Sequence, residues 1–190
     1  MMTNWEAVAM ILAIAYLLLA IKQSLWCWAA AFFSTLIYSV IFFDVSLLMD
    51  SALNVYYIIM AVYGWYSWKY LGKNKNDELQ ITSYGLNKNI KIIVILSIIS
   101  LCLGYVMANY TSADFAYIDS FTTIFAVFST YLLAKKVIEN WIYWIVIDSI
   151  SIYIYIQKEL NLTALLFVIY TVLAFVAYKK WKEEYESSKD

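Results

Sequence analysis

Few side chains in this chain can do chemistry, and those few stand in apolar company. Asp148 ends the run Trp141-Ile-Tyr-Trp144-Ile-Val-Ile-Asp148, which contains no basic residue. Trp141, Trp144, Asp148, Ser151 and Tyr155 follow one another at spacings of three and four, so a helix gathers them on one stripe. An acid in so apolar a run is costly to bury without a partner. Aromatic faces attract organic cations and a carboxylate adds countercharge, so the stripe suits a cation-binding cavity. It equally suits an acid that hydrogen-bonds a neighbouring helix.

A second stripe, Asp50, Asn54, Tyr57, Ala61 and Trp65, carries an amide able both to donate and to accept, as a heterocycle edge requires. Asp119, Thr122, Thr123, Ala126, Ser129 and Thr130 make a hydroxyl-rich face with an acid at its start. Tyr38 and Tyr170 are further candidates, although most of the 18 tyrosines must be ordinary packing residues.

Other chemistries are excluded by what is missing. There is no histidine or proline, and all 13 basic residues are lysine. Histidine-based zinc sites, histidine acid–base catalysis and Ser–His nucleophiles are therefore ruled out. The four glycines form no phosphate-binding loop, and no arginine-rich helix could sense voltage. Cys27 and Cys102 lie in apolar runs and read as small buried residues, with no metal set or disulfide. A net charge of −1 offers nothing to nucleic acid. Asp50 and Asp119 lie towards one end of their runs and Asp148 near the middle of its own, so a shared enzymatic site is not expected. No cofactor is implied.

The elements that must hold these residues are membrane helices. Of 190 residues, 64% are hydrophobic and 14% charged, against about 45–50% and about 25% in soluble domains. Seven apolar runs reach the roughly 20 residues that span a bilayer, approximately 4–21, 25–43, 47–68, 90–109, 116–134, 140–157 and 161–179. None alternates as a β-barrel strand would, so the fold class is all-α, an integral membrane protein of seven transmembrane helices. The first run has no basic residue ahead of it and is too long for a signal-peptide core. Asp148 then lies about 12 Å deep in its span, where an ionised group costs about 2.5–3.5 kcal/mol on translocon scales. The aliphatic face Ile142, Ile145, Ile147, Ile150 and Ile154 is expected to meet lipid.

Assigning connections alternately to two sides places every lysine but Lys158 on one side. The positive-inside rule makes that side cytoplasmic, with the N-terminus outside and the C-terminus inside. Trp5, Trp26, Trp68, Trp141 and Trp181 fall near span ends, where interfacial anchors gather. Trp28 and Trp65 map onto Trp144 and Trp181 at an offset of 116, which also carries Thr35 onto Ser151. Two triplets of spans with a linking span between them give a 3+1+3 arrangement of parallel repeats, and transporters of repeated build bind substrate near the midplane between repeats. The expected divisions are 1–68 as a first three-helix bundle, 69–89 as a cytoplasmic loop, 90–109 as a linking helix, 116–180 as a second bundle and 181–190 as a cytoplasmic tail.

The runs Asn54-Val-Tyr-Tyr-Ile-Ile-Met-Ala-Val-Tyr-Gly-Trp65-Tyr-Ser-Trp68 and Glu139-Asn-Trp-Ile-Tyr-Trp144-Ile-Val-Ile-Asp148, with Lys158-Glu-Leu-Asn-Leu-Thr163-Ala-Leu-Leu, resemble the PnuC family of vitamin transporters over nearly the whole chain. The resemblance implies a SWEET-like 3+1+3 fold in the opposite membrane orientation. It implies facilitated diffusion of an unphosphorylated vitamin through the bacterial inner (cytoplasmic) membrane, followed by trapping through a cytosolic vitamin kinase. By the motif match, Asn54, Tyr57, Trp141, Trp144 and Asp148 line the site, beside the candidates Asp119, Tyr38 and Ser151. The family allows a homotrimer. Its nicotinamide riboside members tend to read Leu-Gln-x-x-Tyr in the third helix, where this chain has Leu53-Asn54-Val-Tyr-Tyr57. The shorter amide favours the thiamine branch, with nicotinamide riboside as the alternative substrate. A membrane scaffold or small receptor acting through 69–89 and 180–190 is the alternative of another class.

Overall fold

With no proline and only four glycines, nothing interrupts the apolar runs, and lipid forces each run to satisfy its own backbone. In the computed structural model, residues 4–44, 48–72, 78–111 and 115–188 are described. They form seven helices, α1 Asn4–Ile21, α2 Trp26–Asp44, α3 Leu48–Tyr70, α4 Gly85–Tyr110, α5 Ala116–Ala134, α6 Asn140–Gln157 and α7 Asn161–Ser187. Lys73, Lys75, Asp77 and Lys189 lie outside the described residues, as does the side chain of Asp50. Helix α4 begins at Gly85, inside the segment expected as loop, and α7 stays helical as far as Ser187 of the expected tail, where Lys182 pairs with Glu186 at 3.8 Å. Five of the seven, α1, α2, α4, α5 and α7, are apolar enough to cross a membrane on hydropathy. The other two, α3 and α6, are the helices that carry the amide and acid stripes.

The chain divides into two units. The first holds residues 1–81 with 133–136, and the second holds 82–132 with 137–190. In the first, small residues let helices approach. Ser34 donates to the carbonyl of Ala9 (2.8 Å), tying α2 to α1, and Ser51 donates to the carbonyl of Ser39 (2.9 Å), tying α3 to α2. Gly64 lies directly against the Trp28 ring. In the second unit, Leu96, Phe125, Tyr143 and Ile147 form a core across α4, α5 and α6. There a Cβ on Gly104 would stand 2.6 Å from the Tyr117 ring.

The backbone of the first triplet recurs in the second. Helix α1 ends in a Schellman turn: Ser24 N–H donates to Leu19 O (3.0 Å), Gln23 N–H donates to Ala20 O (3.0 Å), and Gln23 takes φ 54°. Helix α5 ends the same way 113 residues later, with Val137 N–H to Leu132 O (2.9 Å), Lys136 N–H to Leu133 O (2.9 Å) and Lys136 at φ 49°. The side chains agree. Trp28 meets Trp68 edge-on with centroids 5.3 Å apart at 85°, and Trp141 meets Trp181 at 5.4 Å and 86°.

This register corrects the expected offset of 116. Trp65 lies about one helical turn from Trp68 and instead packs against Trp26 at 5.6 Å and 82°. The correspondence of helices survives, because the two offsets differ by about one turn, but Thr35 now matches Asp148 and not Ser151.

Three further expectations are corrected. Trp5 and Trp26 are exposed (68% and 67%), as interfacial anchors should be, but Trp68, Trp141 and Trp181 are fully buried because each is half of a packed indole pair or donates into the fold. Ile147 and Ile154 are buried too, since α6 is covered on two sides, and its exposed side runs through Ile142, Val146, Ser149 and Tyr153. Cys27 is buried as expected, whereas Cys102 is exposed on α4.

Candidate functional site

On α6 of the second unit the stripe turns inward. Trp144 is half-buried against the core of Leu96, Phe125 and Ile147. Asp148, one turn deeper, is only 5% exposed. Among the described residues its carboxylate has no hydrogen-bond or ion-pair partner. Ser151 is buried, and its hydroxyl donates to Ile147 O at 2.9 Å, which spends it on its own helix. Trp141 stands apart from these three, packed edge-on against Trp181 in the first turn of α6, with an indole N–H that has no partner among the described residues.

Asp119 is half-buried in the first turn of α5. The hydroxyl face above it is already satisfied. Thr122 donates to Asp119 O (3.0 Å), Ser129 to Phe125 O (2.7 Å) and Thr130 to Ala126 O (2.9 Å). Back-bonding of this kind leaves the hydroxyl oxygens as acceptors and removes their protons from service to a ligand.

In the first unit, Asn54 is buried on α3 and Tyr57 is half-buried about one turn along it. Tyr56 flanks Tyr57 at 5.5 Å. Tyr38 is half-buried and stacked on Phe42 at 5.7 Å and 17°. The 113-residue register places Tyr38 at the position of Ser151, Tyr57 at that of Tyr170, Thr35 at that of Asp148 and Glu6 at that of Asp119. Two pairs picked separately from the two triplets, Tyr38 with Ser151 and Tyr57 with Tyr170, thus share positions.

Among the described residues, two of the cavities each lie within one unit, and neither of these two is lined by any of the candidates. One of about 260 Å³ is lined by Trp28, Phe32, Phe33, Ala61, Val62 and Trp65. The other, about 710 Å³, is lined by Tyr117, Phe121, Ile145, Val146, Ser149 and Tyr153. Both open on exposed apolar faces, where Phe33, Val62, Val146 and Tyr153 lie. No cluster of metal-ligating side chains exists among the described residues.

Sequence reasoning missed three residues. Tyr16 packs on Trp28 (6.2 Å) within electrostatic reach of Tyr57, and its only signal was a tyrosine in an aliphatic run. Lys136 is 3% exposed, with its ammonium 4.8 Å from the Trp68 ring, beside the Leu133 carbonyl that accepts from Trp68 Nε1 (3.1 Å). The turn motif hides it, because a lysine after a span reads as a surface charge. Glu139 gathers four donors, as set out below.

Seven helices built from apolar runs, five of them long and apolar enough to cross a bilayer, define an all-α multi-pass membrane protein. Its fold is similar to the crystal structure of the vitamin B3 transporter PnuC, with a TM-score of 0.76 at 16% identity over 95% of this chain and 81% of that one. The profile of the nicotinamide mononucleotide transporter family matches residues 3–183, and the chain belongs to that family: it is a transporter and not an enzyme. Relatives include the nicotinamide riboside transporter PnuC of Escherichia coli K12, 22% identical over 94% of this chain and 85% of that protein. The riboflavin/roseoflavin transporter RibM of Streptomyces davaonensis is 20% identical over 93% of this chain and 83% of its own length.

Proposed function

We propose that this transporter admits an unphosphorylated B-type vitamin, thiamine, through the bacterial cytoplasmic membrane by facilitated diffusion, with a cytosolic kinase trapping the product. The observation that carries the reading is Asp148, a buried carboxylate without a partner among the described residues, on a stripe with Trp144. Breaking or omitting one partner of a buried charge is strongly unfavourable, so such a carboxylate calls for a cation. Thiamine brings a thiazolium for Asp148 and Trp144 and an aminopyrimidine for an amide such as Asn54. Tyr57, Trp141, Asp119, Tyr38 and Ser151 complete the proposed set, Trp141 by supporting the stripe from its packed position. The lysine distribution supports an outside N-terminus and an inside C-terminus.

Nicotinamide riboside is the second reading. It too is cationic, and the relative in Escherichia coli is named for it. The scaffold or receptor alternative is displaced by membership of a transporter family. Titration of the detergent-solubilised protein with thiamine, and separately with nicotinamide riboside, followed by tryptophan fluorescence, tests the reading. Saturable quenching by thiamine alone is the expected result. Quenching by the riboside alone would keep a vitamin transporter and overturn the inference from Asn54.

A further inference from the structure

The local side-chain cap of helix α4 is a single bond, Gly85 N–H donating to the Ser83 hydroxyl at 3.2 Å. Its N-cap residue, Tyr84, makes no side-chain capping bond, and Gly85 takes φ 71°. The first N–H groups of a helix need partners and carry the positive end of its dipole. Here a further partner comes from 54 or more residues away in sequence. The Glu139 carboxylate accepts from Tyr84 N–H (3.0 Å), Gly85 N–H (3.1 Å), the Ser83 hydroxyl (2.6 Å) and the Asn89 amide (3.2 Å). Asn89 is held in turn, its oxygen accepting from the Tyr143 hydroxyl at 2.9 Å. Beside this clasp, Ile138 N–H donates to Thr82 O at 2.9 Å in an isolated parallel bridge between Thr82 and Val137. Glu139 itself is the residue from which α6 starts. The equivalent residue of the first triplet, Trp26, is an exposed indole against Trp65, so the clasp is no part of the repeated plan.

We propose that Glu139 is a positioning residue for transport: by capping α4 in trans it makes α4 and the start of α6 one rigid body, so that the α6 stripe keeps its register on α4 while the transporter changes state. One carboxylate bound by four donors, two of them backbone N–H groups at a helix start, is a charge-assisted joint that a neutral side chain does not reproduce. Trp144 packs against the core cluster that Leu96 of α4 shares with Phe125, Tyr143 and Ile147, the side of α6 that the joint would hold.

The inference rests on the transport reading above, and its test separates the two. Glu139→Gln keeps size and one acceptor but sets an NH2 group against the N–H groups of Tyr84 and Gly85. Two measurements are made on the purified, reconstituted protein. Hydrogen exchange of the 82–89 backbone reads the clasp without any substrate. Uptake of radiolabelled thiamine or nicotinamide riboside, whichever quenches in the titration, is expressed per binding-competent site counted by that same quenching. The expected result is faster exchange at 82–89, affinity within about twofold, and turnover per site lowered roughly tenfold, the scale of losing charge-assisted hydrogen bonds. Ser83→Ala, which removes one donor to Glu139 and the local acceptor of Gly85 N–H but no charge, should lower turnover far less. Faster exchange with unchanged turnover per site would overturn the positioning role and leave the transport reading standing. Unchanged exchange would overturn the clasp itself. Affinity lost in step with turnover would assign Glu139 to folding of the site and also overturn the proposal. Absence of binding by either vitamin in the unaltered protein would overturn the substrate reading proposed above while the exchange result still stands.

Discussion

At the turn that opens α2, Gln23 takes φ 54°, and at the turn that opens α6, Lys136 takes φ 49°, each closing the same pair of hydrogen bonds. Beyond each turn a buried tryptophan, Trp28 or Trp141, meets the tryptophan at the far end of its triplet edge-on and keeps an indole N–H without a partner among the described residues. The small residues Ala61 and Ala174 are both buried at equivalent places. Farther along the helices the two units diverge. Ala31 of the first answers to Trp144 of the second, Thr35 to Asp148, Tyr38 to Ser151 and Asn54 to Phe167. Thr35 settles its hydroxyl on Ala31 O at 2.8 Å, an exit that an ionised acid, which only accepts, does not have. The turns and indole pairs are a frame used twice, and the positions deeper in the helices are where one unit was given charge and aromatic surface and the other an amide and tyrosines.

If the frame is truly shared, damage to it should cost the same in both units. Trp28→Ala and Trp141→Ala should each destabilise the protein by about 3–5 kcal/mol, the range for emptying a buried aromatic site, read as matched losses in thermal unfolding in detergent. A much milder effect of one of them would break the equivalence. A smaller difference is expected at Gly64 and its counterpart Ala177. A methyl added at Gly64 meets the Trp28 ring, so Gly64→Ala should cost about 1–3 kcal/mol by overpacking. Ala177→Gly, which only frees the helix backbone, should cost about 0.5–1 kcal/mol in the same assay.

The divergent positions predict the opposite pattern, with affinity changing and stability holding. Asp148→Asn should weaken vitamin binding by at least roughly tenfold, about 1.4 kcal/mol, with the folded protein still extractable. Thr35→Val, at the equivalent position, should shift affinity by less than about twofold, since its hydroxyl is already bound within α2. Fluorescence titration of both variants decides it: equal losses would show that the division between frame and site is wrong.

Helix count and most helix ends were legible because unbroken apolar runs of bilayer length leave little choice, and Asn4–Ile21, Ala116–Ala134 and Asn140–Gln157 fall on the expected limits. The existence of a repeat was legible, but its register was not. Tryptophans one turn apart, at 65 and 68 and at 141 and 144, offer two self-consistent alignments in sequence, and only ring packing chooses between them. The burial of Asp148 followed from its stripe. The satisfied hydroxyls of α5 did not, because an i−4 back-bond leaves no mark on residue spacing. Glu139 and Lys136 were illegible for a different reason. Both stand at a span end, where composition predicts solvent, and their partners lie far away in sequence.

A gentler test concerns another feature that the second unit has and the first lacks, the start of α4 capped from the start of α6. Gly85 sits at φ 71° with open space where a Cβ would go, so no steric clash accompanies a substitution there. Gly85→Ala therefore isolates the conformational term. Holding alanine in the left-handed region should cost about 1 kcal/mol, a shift in thermal unfolding well below those of the two tryptophan variants and similar to that of Ala177→Gly. Gly85→Asn should recover part of it, because asparagine tolerates that region. The N–H of residue 85 still reaches Glu139 in both variants, so hydrogen exchange across 82–89 should change little. Strong exchange in Gly85→Ala would mean that the left-handed turn at Gly85, and not the carboxylate, holds α4 to the start of α6.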